Sequence, residues 1–203
     1  DIIKAHPAVA TVGSIIKFGK YEQDNDTSNG KENIEWLVLA KENSKVLLIS
    51  DKALDCKPYN TSCEDVTWET CSLRAWLNHD FLNDAFTKEE QAIINTTDVS
   101  ADENPSSKTN QGNDTQDKVF LHSVKEADLY FRNNDKKTCV PTNYARNKGA
   151  YTSSTYNTCG WWLRTSGDDS RSAAYLYTDG RIYYSGWIVD SVDTGVRPAM
   201  WIS

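Results

Sequence analysis

Histidine is nearly missing from this chain of 203 residues: only His6, His79 and His122 occur, and no two have the spacing that places a pair of ligands on one helix face. That removes the histidine clusters on which iron and catalytic zinc sites usually depend. No Gly-x-Ser-x-Gly elbow and no glycine-rich phosphate loop occur, so neither a serine hydrolase nor a nucleotide-binding enzyme is indicated. Cys-x-x-Cys is absent as well, which argues against a zinc ribbon. The cysteines number five, an odd count that forbids complete internal pairing. Cys56 with Cys63 or Cys71, and Cys139 with Cys159, would close modest loops, and buried free thiols are an equal alternative. Long apolar runs are lacking too: the longest, 37–40 and 46–49, fall far short of the roughly 20 residues a membrane helix needs. Positive charge is in deficit, with 22 Lys and Arg against 29 Asp and Glu and a net charge of −7. Nucleic acid and anionic membrane are therefore disfavoured partners, and membrane insertion by this segment is not expected. The chain starts at Asp1 without a charged-then-apolar leader, which fits a removed signal peptide or a trimmed upstream region.

What is present reads as short elements of mixed type. Ser-Ile-Ile-Lys-Phe-Gly at 14–19, Ile-Glu-Trp-Leu-Val-Leu-Ala at 34–40 and Lys-Val-Leu-Leu-Ile-Ser at 45–50 are short stretches with β-branched or aromatic residues bounded by polar turns, and predict three strands. The polar cluster 23–30 between the first two predicts an exposed loop; Asp24, Asp26 and Glu35 imitate part of a calcium loop there, but without its ligand spacing. From Ser72 the period changes, with Leu73, Trp76, Leu77 and Phe81 on one face of a helix and Arg74, Asn78 and Asp80 on the other. Two capping boxes, Thr87 with Glu90 and Ser123 with Glu126, predict further helices; Ala92, Ile93 and Ile94 would line the first, Ala127, Leu129, Tyr130 and Phe131 the second. A strand is expected at 118–121. Residues 100–117 are too polar to form a core and predict a long excursion, and the segments 132–137 and 143–158 are polar connections. The whole of 1–203 reads as one domain.

The C-terminal third is the most structured part of the pattern. Ser-Ala-Ala-Tyr-Leu-Tyr-Thr-Asp-Gly-Arg-Ile-Tyr-Tyr-Ser-Gly-Trp at 172–187 alternates around an Asp-Gly pair and predicts a hairpin. Residues two apart share a face, which groups Tyr175 with Tyr177 and leaves one aromatic face for a ligand and one for the core. The candidate ligand-binding residues are Tyr175, Tyr177, Asp179, Arg181, Tyr183, Tyr184, Trp187, Asp190 and Asp193, because flat amphipathic rings beside acids and a guanidinium suit a sugar ring or a peptide. Trp161, Trp162, Leu163 and Trp201 read as core, with Arg164 and Arg197 as loop-locking donors. Arg197-Pro198 predicts an edge or a bulge. Asp168, Asp169, Asp190 and Asp193 are hard-oxygen residues without a defined metal spacing, and adjacent Asp168 and Asp169 read as a solvated turn rather than a glycosidase pair.

Phe-Gly-Lys-Tyr at 18–21, Trp-Glu-Thr-Cys-Ser-Leu-Arg-Ala-Trp-Leu-Asn at 68–78, Trp-Trp-Leu-Arg at 161–164, Ala-Ala-Tyr at 173–175 and Gly-Val-Arg-Pro-Ala at 195–199 together resemble an uncharacterised bacterial domain family, nearly end to end. The C-terminal half of that family is similar to the C-type-lectin-like fold of the formylglycine-generating-enzyme group, where a Gly-Phe-Arg near the C-terminus corresponds to Gly195, Val196 and Arg197. The resemblance implies an α+β fold with a C-type-lectin-like core of short antiparallel strands, a few helices and long irregular loops. The late cysteine pair of the formylglycine-generating enzymes and the histidine cluster of their iron-dependent relatives are absent, so neither chemistry carries over. The expectation is a non-enzymatic extracellular or cell-surface module that binds a glycan or protein ligand without a cofactor or metal. A structural or assembly domain of a larger bacterial surface protein is the alternative, and an enzyme of unknown type the weakest reading.

Overall fold

The computed structural model describes residues 9–132 and 135–203; His6 and the middle of the 132–137 connection lie outside the described residues. The first sheet is built from β1 (Ile15–Tyr21), β2 (Glu32–Glu42), β3 (Lys45–Ser50) and β11 (Ala199–Ile202) in the order β1-β2-β3-β11, antiparallel throughout. All three N-terminal strands fall where the sequence places them. β3 is buried along all but its first residue, since β2 and β11 flank it and both its faces are covered. Its nearly unbroken apolar run is what such a position requires. Trp36 of β2 is fully buried and donates Nε1–H to the Phe18 carbonyl at 2.7 Å, so its one polar atom is satisfied inside the core.

The second sheet has the order β4-β10-β7-β8-β9, from β4 (Asp55–Cys56), β10 (Gly195–Val196), β7 (Trp161–Ser166), β8 (Ser172–Leu176) and β9 (Ile182–Ile188). Gly195 pairs parallel with Trp161 and antiparallel with Cys56. The chain passes from the second sheet to the first between β10 and β11, at Arg197-Pro198, so the expected break falls there. Arg197 is wholly buried at that crossing: Nε donates to Ser50 O at 2.8 Å, Nη1 donates to Lys136 O at 2.7 Å, and its guanidinium lies over Phe131 and Trp161. A small third sheet pairs β5 (Thr97–Val99) with β6 (Thr115–Asp117).

The helices are short: α1 (Ser72–Trp76), α2 (Leu82–Ala85), α3 (Lys88–Ile93), α4 (Val124–Phe131) and α5 (Asn143–Asn147). A π-helical turn, Leu77–Phe81, joins α1 to α2, so the expected helix is continuous but widened in its middle. Leu73, Leu77 and Phe81 still reach the core. Asn78 fills the widened turn, donating to Arg74 O and Val119 O and accepting from the Lys118 and Val119 amides. Both capping boxes form as expected.

Four expectations need correction. No residue of α3 is buried, because Ala92 faces out and the core anchor, Ile94, lies just past the helix. Leu129 of α4 is 68 % exposed, since Val124, Ala127 and Phe131, with Tyr130 partly buried beside them, form the inward face. Residues 118–121 make no strand; only Phe120 forms a bridge, to Ala199. The excursion 100–117 is not simply solvated: Asn104, Gln111, Thr115 and Asp117 are buried, and their polarity serves backbone and side-chain groups elsewhere in the fold. Asp117 alone accepts from Arg74 Nε at 2.8 Å and Trp68 Nε1 at 3.0 Å.

Candidate functional site

The hairpin β8–β9 turns through Thr178, Asp179 and Gly180, with Tyr177 N–H donating to Arg181 O and Gly180 N–H to Tyr177 O. Gly180 has φ +83°, the left-handed position that a three-residue hairpin loop needs and that glycine adopts without strain. Register then assigns the side chains. Trp162 opposes Tyr175 and Tyr175 opposes Tyr183, so these rings form a row across β7, β8 and β9 on one face. The adjacent row, Trp161, Leu176 and Ile182, points to the other.

Between Ala173 and Tyr175 the pairing jumps from Trp187 to Tyr183, so β9 carries two extra residues there. An even insertion keeps the alternation, and Trp187 stays on the face of Tyr183. β7 has the same insertion, between Trp162 and Ser166. One side chain pins both bulges: Asn104 donates Nδ2–H to Ser166 O at 2.9 Å and to Tyr184 O at 2.7 Å. Gly186, at φ +83°, completes the β9 bulge where a Cβ would press on the Ala173 carbonyl at 2.7 Å.

The result is an open aromatic cavity of about 390 Å³, within the range of small-ligand sites. Tyr175 and Tyr183 stack with centroids 5.2 Å apart and ring planes 24° apart; Tyr177 meets Tyr183 edge-on at 5.5 Å, and Trp187 stands 6.5 Å from Tyr175 with 49 % of its surface exposed. Tyr151, Gly160, Asp193 and Thr194 complete the wall. Burial pushes the Tyr175 phenol up to about 12, with Tyr183, Tyr177 and Asp193 adding to the effect. Its hydroxyl therefore remains a hydrogen-bond donor at physiological pH. Tyr151 beside Tyr177 raises that phenol as well. Asp193 Oδ1 accepts from Ser191 Oγ and from Thr194 Oγ1, which fixes the carboxylate at the cavity edge.

Of the nine expected residues, Tyr175, Tyr177, Tyr183, Trp187 and Asp193 come together here. The other four do not. Asp179 and Arg181 sit on the hairpin turn and bind each other, Nε to Oδ2 at 2.7 Å, clear of the cavity. Tyr184 lies on the opposite face, its hydroxyl 3.4 Å from Asp128, because one residue's step from Tyr183 reverses the side. Asp190 occupies the turn after β9 and does not line the cavity. Tyr151, Gly160 and Thr194 were not foreseen. Tyr151 arrives through its amide, which donates to Asp193 O at 2.9 Å, a long-range contact with no local signal.

The arrangement offers rings and hydrogen bonds, not a reacting pair. His79 is remote on the helical turn, bonded to Asp80, and His122 is fully buried. Cys159 is buried too, its backbone paired with that of Cys139, and the hydrogen bond with the Cys139 thiol, followed by burial, raises it well above an ordinary thiol. All five cysteines are free thiols: Cys71 caps α1 through its sulfur, Cys56 donates to Val192 O, and Cys63 is exposed. Among the described residues, Asp168, Asp169, Asp190 and Asp193 do not converge as metal ligands. No helix among the described residues is long and apolar enough to cross a membrane.

A family model described as a domain of unknown function, DUF6273, matches residues 43–203. The match takes in four of the five resembling blocks and leaves Phe-Gly-Lys-Tyr at 18–21 outside. No curated protein matches the chain. No solved structure matches it either.

Proposed function

The chain belongs to the DUF6273 family, and we propose that it is a non-enzymatic recognition module, displayed outside the cell or on its surface, that binds a glycan in the aromatic cavity of β7–β9. The observation that carries this reading is the stacked Tyr175–Tyr183 pair at the cavity floor with Trp187 standing open at its rim. A sugar presents an apolar C–H face and a ring of hydroxyls. The first suits the tyrosine and tryptophan faces; the second suits the Tyr175 hydroxyl, the Asp193 carboxylate and the Thr194 side chain. A protein loop with an exposed ring is the other occupant of the same chemistry. The mixture of short antiparallel strands, short helices and long loops supports a C-type-lectin-like core, as does the return of the C-terminal strand to the N-terminal sheet.

A second reading, a structural or assembly domain, draws on the burial of the motif residues Trp161, Trp162, Arg164 and Arg197. Glycan-array binding separates the two. Trp187→Ala should weaken any bound glycan at least about tenfold, as loss of an aromatic anchor does, while changing stability by no more than about 0.5 kcal/mol, as exposed sites do. A folded sample that binds neither glycans nor envelope proteins would leave only the structural reading.

A further inference from the structure

A second site is built where β1 leaves its sheet and β2 enters it. Tyr21 pairs with Glu32 across the two strands, so Glu22, one step past the end of β1, stands beside Glu32. The loop between them folds back: Asn25 has φ +69°, Asp24 Oδ1 accepts the Asp26 amide, and the Gln23 amide donates to Glu32 Oε2 at 2.7 Å. Glu22, Asp24 and Glu32 thereby each bring a carboxylate oxygen within 4.8 Å of the others.

Crowded acids alone signify little; the state of Glu22 is what distinguishes this group. Its side chain is only 8 % exposed, and Oε1 is fully buried without any hydrogen-bond partner. An ionised oxygen out of water with nothing to receive its charge is costly. Among the described residues no ion pair reaches any of the three acids: nearby Lys31 is committed to Asp84, and Arg146, on the cavity beside Asp24 and Glu32, donates to Asn157.

We propose that Glu22, Asp24 and Glu32 bind a hard divalent cation of the size of calcium. The donors are all oxygen, without histidine or thiolate, which favours calcium or magnesium over zinc and copper. Three carboxylates on a turn and a strand end suit calcium, which accepts flexible oxygen geometry at about 2.3–2.6 Å, better than magnesium, which demands a near-ideal octahedron and keeps several of its waters. The adjoining polar cavity of about 620 Å³ leaves room for waters to complete the coordination. The triad differs from the partial calcium pattern in the sequence: Asp26 turns its Oδ1 to the Ser28 amide and hydroxyl, and neither Asp26 nor Glu35 belongs to the group of mutually close carboxylates. The site is independent of the aromatic cavity and lies outside the matched residues 43–203.

The test is calorimetric titration of the EGTA-treated 203-residue chain with CaCl2 and, separately, MgCl2, alongside thermal melts. Calcium should bind once per chain, more tightly than magnesium, and raise the melting temperature. Glu22→Gln and Asp24→Asn should each weaken calcium at least about tenfold, since even the partners of metal ligands are worth that much. Glu22→Gln nearly conserves volume and relieves repulsion, so its calcium-free melt should match or exceed the parent's, whereas Asp24→Asn gives up one of the acceptors for the Asp26 amide and the Asn29 side chain and should melt lower. Glu35→Gln should bind as the parent does. No calcium heat up to about 10 mM, beyond the weakest extracellular calcium modules, or calcium binding undiminished in Glu22→Gln, would overturn the proposal.

Discussion

The two faces of the β7–β8–β9 sheet carry aromatic residues alike and have opposite fates. On one, Trp161 is covered by Phe131 of α4 and by the Arg197 guanidinium, and Tyr184 leans against Asp128. On the other, Trp162 is buried under Tyr59, Tyr175 is half-buried, and Trp187 is open, so cover thins as the sheet approaches its edge strand β9. Alternation decides which face a ring joins. What packs against that face decides whether the ring is core or surface, and that is settled by residues far away in the chain.

The comparison breaks most visibly if the covered face is emptied. Trp161→Ala should cost about 3–5 kcal/mol, the range for a buried aromatic deletion, as read by urea unfolding. It would also strip the Arg197 guanidinium of one of its two ring contacts. A loss no larger than that of Trp187→Ala would mean that the two faces are not energetically distinct.

A smaller effect should follow from Asn104→Ala, which touches neither face. Asn104 serves Ser166 O and Tyr184 O, and each buried carbonyl left without a partner costs about 1–3 kcal/mol unless water replaces the amide. Because the same amide holds both bulges in register, the variant should also weaken any ligand of the aromatic cavity. Lost stability with unchanged binding would show that the bulges hold Tyr183 and Trp187 without it.

Asn104 also marks where sequence reading ran out. The strands at 14–19, 34–40 and 45–50, the hairpin around Asp179-Gly180 and the two capping boxes were legible because each is fixed by neighbours within a few residues. The aromatic cavity was half legible: period two groups Tyr175, Tyr177 and Tyr183, whereas Tyr151 and the role of Asn104 depend on pairing across dozens of residues. Tyr184 was assigned to the site although the same period excludes it. The polar stretch 100–117 read as a solvated excursion because the partners of its buried residues, the Ser166 and Tyr184 backbone and the Arg74 and Trp68 side chains, lie far off in the chain, and composition carries no trace of that.

Of the two faces, acid should act on the covered one, with the smallest effect of the three. His122 is fully buried against Phe120, Tyr130 and Phe131, near Arg164 and Arg197, and its ring lies 3.3 Å from Glu126 without the alignment of a hydrogen bond. Burial holds its pKa below the ordinary value despite the Glu126 charge. Burial pushes Glu126 up in turn, but His122 and the Arg164 guanidinium bonded to it outweigh that and hold the carboxyl far below the usual range. Both groups therefore take protons more readily when the chain unfolds, so stability rises with pH wherever they titrate. It should begin to fall below about pH 6.5, as His122 of the unfolded chain charges, and fall further below about pH 4.3, as unfolded Glu126 protonates. In His122→Gln the first of these losses should disappear and the second remain, while the matched substitution of exposed His79 should leave both in place. Thermal melts between pH 4 and 8 decide it. A His122→Gln profile parallel to the parent's between about pH 5 and 6.5 would move the acid sensitivity off this face.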